Sequence, residues 1–284
     1  MSDAILYVVS TPIGNLSDLS PRGASTLADV TVVYAEDTRR TRRLLRRLDI
    51  GTRVRSLHAH NERSRLEELL GRLAGGESCA IVSDAGTPGI SDPGRRAVEA
   101  ALDAGYRVVP VPGPSAILAA LVASGLPSAR FAFLGFPPRG GGRRRAWMEE
   151  ARRLPMTVVA FEAPGRIGAL LEDLVAAGLG YRSCAVCREM TKLYEEVRRG
   201  TVSEQAGYYS GRDVRGEITL VIEGNAGSPG SESGDANEEA ERVAAELTGK
   251  GLSVREVARR LRAETGLARN EAYRIALRAG GEGD

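Results

Sequence analysis

The segment 83–94 of this 284-residue chain has the composition of a ligand-binding loop. It follows a short apolar run that predicts a buried strand, and its three glycines and two prolines leave little side chain in the way of an approaching ligand. Its spacing matches neither G-x-G-x-x-G nor G-x-x-x-x-G-K-S/T, so the two common phosphate-binding fingerprints are absent. The segment predicts either a ligand site at the carboxyl end of a strand or a tight connection that binds nothing.

Two similar Pro/Gly loops, 11–15 and 112–116, follow the predicted strands 5–10 and 107–111. The carboxyl ends of parallel strands meet at one edge of a sheet, so we expect all three loops to lie side by side and form a shared cleft. Residues 1–113 are therefore predicted to form an N-terminal α/β domain with a mostly parallel, doubly wound sheet.

The rest of the chain predicts a second α/β domain and a small helical module. Strand patterns at 156–161, 183–187 and 217–223, joined by hairpin-like connections, indicate a mixed sheet in a domain spanning 114–224. The Gly- and Ser-rich stretch 225–236 predicts a flexible linker. Residues 237–284 predict helices that begin like a helix-turn-helix, and whether they contact nucleic acid stays open.

Basic residues form two clusters, and 37 of the 39 basic side chains in the chain are arginine. A GC-rich genome would produce the same excess, so the clustering is more informative than the total. One cluster lies on a predicted helix at 38–48 with no interleaved acid, and the other on a predicted flexible loop at 139–145. Such clusters favour a polyanionic partner, although a solvated face is the simpler alternative. The arginines concerned are Arg39, Arg40, Arg42, Arg43, Arg143, Arg144 and Arg145.

Composition narrows the class of protein further. The net charge is only +2, and no apolar run is long enough to predict a membrane span or a secretory signal, so a cytoplasmic protein is expected. Three cysteines without paired spacing predict buried thiols and no redox or metal role. His58 and His60 would share one face of an extended segment, but no third ligand follows in suitable spacing, so no metal is expected.

Several motifs occur together in a fixed order over residues 5 to about 223. They are the segments 6–15, 35–39, 58–62, 83–94, 112–116 and 188–192. Together they resemble the ribosomal small-subunit RNA cytidine 2'-O-methyltransferase I branch of the tetrapyrrole methylase superfamily. The resemblance implies two α/β domains with S-adenosylmethionine in the cleft between them, a homodimer and no metal. It also implies 16S ribosomal RNA, within the small ribosomal subunit, as the substrate.

The same resemblance implies a set of site residues. Independently of the resemblance, the charge of the two clusters makes their seven arginines candidate RNA contacts. The second domain contributes Glu162 and Met190 to the cofactor site. The three Pro/Gly loops contribute Pro12, Asp84, Ala85, Gly86, Thr87, Ser115 and Ala116.

Methyl transfer to a ribose hydroxyl, a weak nucleophile, depends on alignment, and a base can accept the hydroxyl proton. Arginine stays protonated and cannot be that base. Asp37, Glu189, Lys192 and His60 are the candidates, all at strand ends that carry a motif. Lys192 is the most suggestive because lysine is so scarce here, while an ion pair or a phosphate contact is the alternative role.

Two other functions stay open at this level. A methylase of the same superfamily that acts on a porphyrinoid would need a cleft with broad apolar walls, and the arginine clusters favour RNA over it. An RNA-binding protein without activity is disfavoured by three ligand-type loops in one predicted cleft.

Overall fold

The computed structural model describes residues 4–58, 61–91, 94–225, 234–250, 252–265 and 269–280. The chain divides into two compact units, residues 1–224 and 225–284. The first unit contains two five-stranded sheets, and the described residues of the second form three helices.

The first sheet is entirely parallel and has the strand order β3-β2-β4-β1-β5. Its strands are β1 (Ile5–Val9), β2 (Val32–Ala35), β3 (Arg53–Ser56), β4 (Cys79–Val82) and β5 (Arg107–Val111). Val9 at the end of β1 pairs with Val82 of β4 and with Val111 of β5. The three Pro/Gly loops therefore leave the sheet from adjacent strands at one level, which confirms the predicted arrangement.

Helices cover both faces of this sheet, as its sequence requires. Every residue of β2 and β4 is buried, and two separate apolar clusters lie on opposite faces of these strands. The helices that cover this sheet are α1 (Pro21–Asp29), α2 (Thr38–Arg47), α3 (Glu62–Ala74) and α4 (Arg95–Asp103). Ser20 caps α1, and Pro21 occupies its first position, where the missing N–H of proline costs nothing.

The second sheet is mixed, as predicted, with the order β6-β7-β10-β8-β9. Its strands are β6 (Phe131–Phe133), β7 (Thr157–Glu162), β8 (Ser183–Arg188), β9 (Glu196–Thr201) and β10 (Ile218–Ile222). On one face of this sheet lies α5 (Ala116–Ser124), and on the other lie α6 (Gly141–Arg153), α7 (Ile167–Leu174) and α8 (Val202–Tyr209). The strand β9 was not predicted, because its charged residues hide the strand pattern. The helix α8 was not predicted either, and a Thr201–Glu204 capping box begins it.

The central strand β10 runs antiparallel to both of its neighbours. Its first residue, Ile218, pairs with Glu162 at the end of β7 and with Arg188 at the end of β8. One end of the second sheet therefore brings together Glu162, Glu189 and Glu217, which are far apart in sequence.

The predicted flexible loop at 139–145 is wrong in part. The helix α6 begins at Gly141, which has a φ of 70°, so the three arginines 143–145 lie in its first two turns. The residues after Gly142 are mostly good helix formers, and they extend the helix back to the glycines.

The second unit consists of α9 (Gly234–Gly249), α10 (Val254–Thr265) and α11 (Arg269–Gly280), packed around a small apolar core. The helix α9 begins at Gly234, inside the predicted linker 225–236. None of the helices in the described ranges combines the length and apolarity that crossing a membrane requires.

Candidate functional site

The three Pro/Gly loops are hydrogen-bonded to one another. Thr11 and Gly86 exchange both backbone hydrogen bonds, at 2.9 and 3.0 Å, and Gly86 has a φ of 81°. The hydroxyl oxygens of Ser10 and Thr87 are 3.0 Å apart, and the Thr87 hydroxyl donates to the Pro114 carbonyl at 3.5 Å. These bonds hold the loops as one preformed rim.

A cavity of about 310 Å³, called here the first cavity, lies between this rim and the end of the second sheet. Its volume is within the range of small-molecule sites. Seven of the nine predicted cofactor residues line it: Asp84, Ala85, Gly86, Thr87, Ser115, Ala116 and Glu162. Of the other two, Pro12 lines a neighbouring cavity, and Met190 packs half-buried against the core beneath α5.

Apolar side chains form much of the wall of the first cavity. Ile13 comes from the loop after β1, and Ile117 comes from the first turn of α5. Phe161 of β7 and Phe136 of the loop after β6 have ring centroids 5.4 Å apart. Such surfaces suit a planar ring of a ligand. Sequence analysis did not select these residues, because an apolar residue at a site carries the same local signal as one in the core.

Glu162 places an unpaired carboxylate oxygen in the same wall. Its side chain is fully buried, and its Oε1 accepts a hydrogen bond from the Ala163 amide at 2.7 Å and pairs with Arg166. Its Oε2 is buried and has no hydrogen-bond partner within the part of the chain that the structure describes. A buried charged acceptor of this kind calls for a donor from a ligand.

A second cavity of about 440 Å³ adjoins the first. The two share five wall residues, which are Ile13, Arg40, Asp84, Ala85 and Glu217. Four cationic side chains, those of Arg40, Arg43, Arg47 and Lys192, line the second cavity with only two carboxylates. The first cavity is largely apolar, and the second is basic.

Lys192 is the centre of an ion-paired cluster at the edge of the second cavity. Its Nζ lies 2.8 Å from Glu189 Oε1 and 3.1 Å from Glu217 Oε2. Burial lowers the pKa of Lys192, but the hydrogen bonds to Glu189 and Glu217 outweigh burial and leave the pKa above its ordinary value. The hydrogen bond from Lys192 lowers the pKa of Glu189, against the opposing effect of burial. Both partners are therefore charged at neutral pH.

The loop that carries this cluster has strained backbone and contacts the loop after β1. Glu189 and Thr191 have φ values of 54° and 66°, which non-glycine residues seldom adopt. The Thr191 hydroxyl oxygen accepts a hydrogen bond from the Asn15 amide at 3.1 Å. A Cβ on Gly14 would lie 2.4 Å from Lys192 Cγ, so only glycine fits there. Strain maintained beside a cavity is typical of functional sites.

Asp37 lies outside both cavities and caps α2. Its carboxylate accepts a hydrogen bond from the Arg39 amide at 2.8 Å, and its own amide donates to Asp84 Oδ1 at 3.0 Å. The side-chain hydrogen bond from Arg39 lowers the pKa of Asp37. His60, the remaining candidate base, lies outside the described residues. No group of three or more His, Cys, Asp or Glu within the described ranges is arranged to hold a metal ion.

The arginines differ in their surroundings. Arg40 lies 3.7 Å from the Asp84 carboxylate, while Arg39 pairs with Asp37, and Arg42 donates to the Thr38 hydroxyl at 3.3 Å. On α6, Arg143 and Arg145 are exposed, and neither lines either cavity. The side chain of Arg144 is only 13% exposed and donates to Asp173 and to the Pro138 carbonyl, so it is the least available of the seven for a phosphate.

Comparison with known proteins decides the family. A profile of the family described as Tetrapyrrole (Corrin/Porphyrin) Methylases matches residues 5–206. The chain belongs to this family. Ribosomal RNA small subunit methyltransferase I of Synechocystis sp. is 40% identical over 279 residues, which cover 98% of this chain and 99% of that protein. The protein of the same name from Mycobacterium tuberculosis is 50% identical over 228 residues, 80% of each chain. This methylase is accordingly a methyltransferase.

Solved structures confirm the fold. Uroporphyrin-III C-methyl transferase from Thermus thermophilus, complexed with S-adenyl homocysteine, covers 78% of this methylase and 97% of its own chain, with a TM-score of 0.55 and 21% identity. A cobalt precorrin-4 methyltransferase covers 78% of this methylase and 95% of its own chain, with a TM-score of 0.59 and 15% identity. At these identities the likeness concerns the fold alone.

Proposed function

We propose that this protein uses S-adenosylmethionine to methylate small-subunit ribosomal RNA, at the ribose 2'-hydroxyl of a cytidine. The observation that carries the proposal is the pair of adjoining cavities, one suited to a small partly apolar ligand and the other to an anion. The names of relatives that are 40% and 50% identical support the same activity and substrate.

The residues of the first cavity fit this cofactor. The adenine ring suits the apolar wall at Ile117 and Phe161, and an N–H or O–H of the cofactor satisfies Glu162 Oε2. Gly86 has no side chain and leaves its backbone open to a ligand. When bound, S-adenosylmethionine supplies a methyl group on a positively charged sulfur.

Alignment of the target hydroxyl is the main task of the protein in this proposal. The wall shared by the two cavities, which includes Asp84 and Ala85, is where a ribose held in the second cavity faces the first. Fixing two reacting groups in this way lowers the barrier without a base. Water then accepts the hydroxyl proton.

The three candidate bases in the described residues stay proposals, and their geometry favours other roles. Lys192 is a cation paired with Glu189, and Asp37 caps a helix. We propose that the Lys192 cluster positions the loop 189–192 against the loop after β1, and that the pair stays charged through the reaction.

We also propose a cytoplasmic homodimer, which the resemblance implies. The helix α5 is apolar on all sides, yet Leu118 and Val122 are 53% and 79% exposed. A helix of this kind is normally buried, and a second copy of the chain would cover it.

The function is tested by mapping 2'-O-methyl groups in small-subunit RNA from cells with and without the protein. We expect one methylated cytidine to disappear in its absence and to return on complementation. Purified protein with labelled S-adenosylmethionine is then offered naked RNA, assembled small subunits and a tetrapyrrole. Label in a tetrapyrrole alone would establish the porphyrinoid alternative, and cofactor-independent RNA binding without transfer would establish a non-enzymatic role.

A further inference from the structure

We propose that the second cavity is the subsite for the target nucleotide, and that Arg43 and Arg47 of α2 bind its phosphodiester. The proposal rests on the proposed function and selects, from a helix with six arginines, the ones that hold the substrate beside the methyl donor.

Helical periodicity divides the arginines of α2 into two faces. Arg40, Arg43 and Arg47 follow the spacing i, i+3, i+7 and line the second cavity. Arg42 and Arg46 lie four residues apart on another face, where they border a shallow groove beside Asp49. Thr41 and Leu45, buried between the faces, fix the rotation of the helix on the sheet.

Arg43 and Arg47 are the cations in the second cavity without a partner. Both are exposed, and neither forms an ion pair with any residue in the described part of the chain. By contrast, Arg40 faces Asp84, and Lys192 is held by two carboxylates. The cavity therefore has an excess of positive charge in its guanidinium groups, whose paired N–H donors match the oxygens of a phosphodiester.

The position of the two cavities determines which end of the bound nucleotide faces the methyl donor. Arg40 lines both cavities, whereas Arg47, two helical turns and about 10 Å further along α2, lines only the second. A phosphate held at Arg43 and Arg47 leaves the adjoining ribose at the wall shared with the first cavity. That wall is where a methyl group bound in the first cavity is within reach.

Adjacent residues provide a matched test. Arg47→Gln removes a cavity-lining cation, and Arg46→Gln removes an exposed cation from the neighbouring position on the other face. The double variant Arg43→Gln/Arg47→Gln removes both proposed phosphate contacts. Unchanged melting temperature and unchanged S-adenosylmethionine affinity establish that each variant is folded with an intact first cavity.

Binding of small-subunit ribosomal RNA is measured over a range of salt concentrations. We expect Arg47→Gln to weaken RNA binding roughly tenfold. Each lost contact should flatten the log–log salt dependence by roughly 0.7 to 0.9, so the double variant loses about 1.4 to 1.8. The expected effect of Arg46→Gln is a small fraction of this. Equal losses in Arg46→Gln and Arg47→Gln, or an unchanged slope in the double variant, would overturn the proposal.

Methylation by the wild-type protein is measured on the same RNA and separates the two proposals. If the wild type methylates the RNA and the Arg46 and Arg47 variants bind RNA equally, the proposed function holds and the proposed subsite is wrong. If only the Arg47 variant loses RNA binding and the wild type does not methylate the RNA, the phosphate subsite is supported and the proposed reaction is wrong.

Discussion

Replacing Lys192 by methionine and by arginine distinguishes a base from a fixed cation. At the ordinary lysine pKa of 10.5, about one molecule in a thousand is deprotonated at pH 7.5, and the two carboxylates beside Lys192 reduce that fraction further. Bringing the pKa to 7.5 would take about three pKa units, or about 4 kcal/mol, against both ion pairs. Burial of Lys192 acts in that direction, but the hydrogen bonds to Glu189 and Glu217 outweigh it.

We therefore expect Lys192→Arg to keep most of the single-turnover methylation rate, because arginine keeps the positive charge. Lys192→Met should lose less than about tenfold, since Glu217 is exposed to water and Glu189 keeps its hydrogen bond from the Glu217 amide at 2.9 Å. A base typically contributes about 10²–10⁴-fold. The assay is transfer of a labelled methyl group to RNA at saturating cofactor and RNA.

The pH dependence provides a second readout of the same pair. The lowered pKa of Glu189 means that its contribution to stability is present above its ordinary carboxyl pKa of about 4.5 and is lost as the pH falls through the lowered value. The raised pKa of Lys192 means that its contribution is present below 10.5 and is lost as the pH rises through the raised value. No inflection from this pair is expected between pH 6 and 9. A loss of 10²-fold or more in both variants, with an inflection near neutral pH in the wild type, would instead establish Lys192 as the base.

Two further predictions test the cavity rim and the thiols. Gly86→Ala and Gly89→Ala both place a side chain at a φ near 80°, at a cost of about 1–2 kcal/mol, but only Gly86 lines the first cavity. Calorimetry should therefore show a loss of S-adenosylmethionine affinity of about tenfold or more in Gly86→Ala alone, and equal affinities would contradict the placement. Burial raises the pKa of each cysteine thiol to about 11 or 12, so the folded protein should resist iodoacetamide at pH 8 and take up three adducts only after denaturation. Rapid labelling of the folded protein would contradict this. The thiols are those of Cys79, Cys184 and Cys187.

Local sequence determined the elements whose signal lies within a few residues. The Pro/Gly loops could be placed at strand ends, because glycine and proline restrict the backbone where they stand. Short apolar runs predicted the buried strands of the first sheet, and the rule that parallel strands share one edge brought the three loops together. The apolar surroundings of the three cysteines likewise predicted their burial, which the structure confirms.

Tertiary structure alone decided which distant residues complete the site. Glu217 meets Lys192 because β10 runs antiparallel beside β7 and β8, and that pairing depends on residues more than twenty positions apart. Phe136 and Phe161 line a cavity only because two sheets meet there, while their apolar character fits a core equally well.

The charge state of Lys192 and the orientation of the α2 arginines could not be predicted from the sequence either. The scarcity of lysine drew attention to Lys192, but its protonation depends on two carboxylates that only the fold brings within hydrogen-bond distance. The arginines of α2 are chemically identical, so the sequence does not distinguish them. The buried Thr41 and Leu45 determine how the helix is rotated and hence which arginines face the cavity. Local composition limits what a residue can do, and the packing of distant segments decides what it meets.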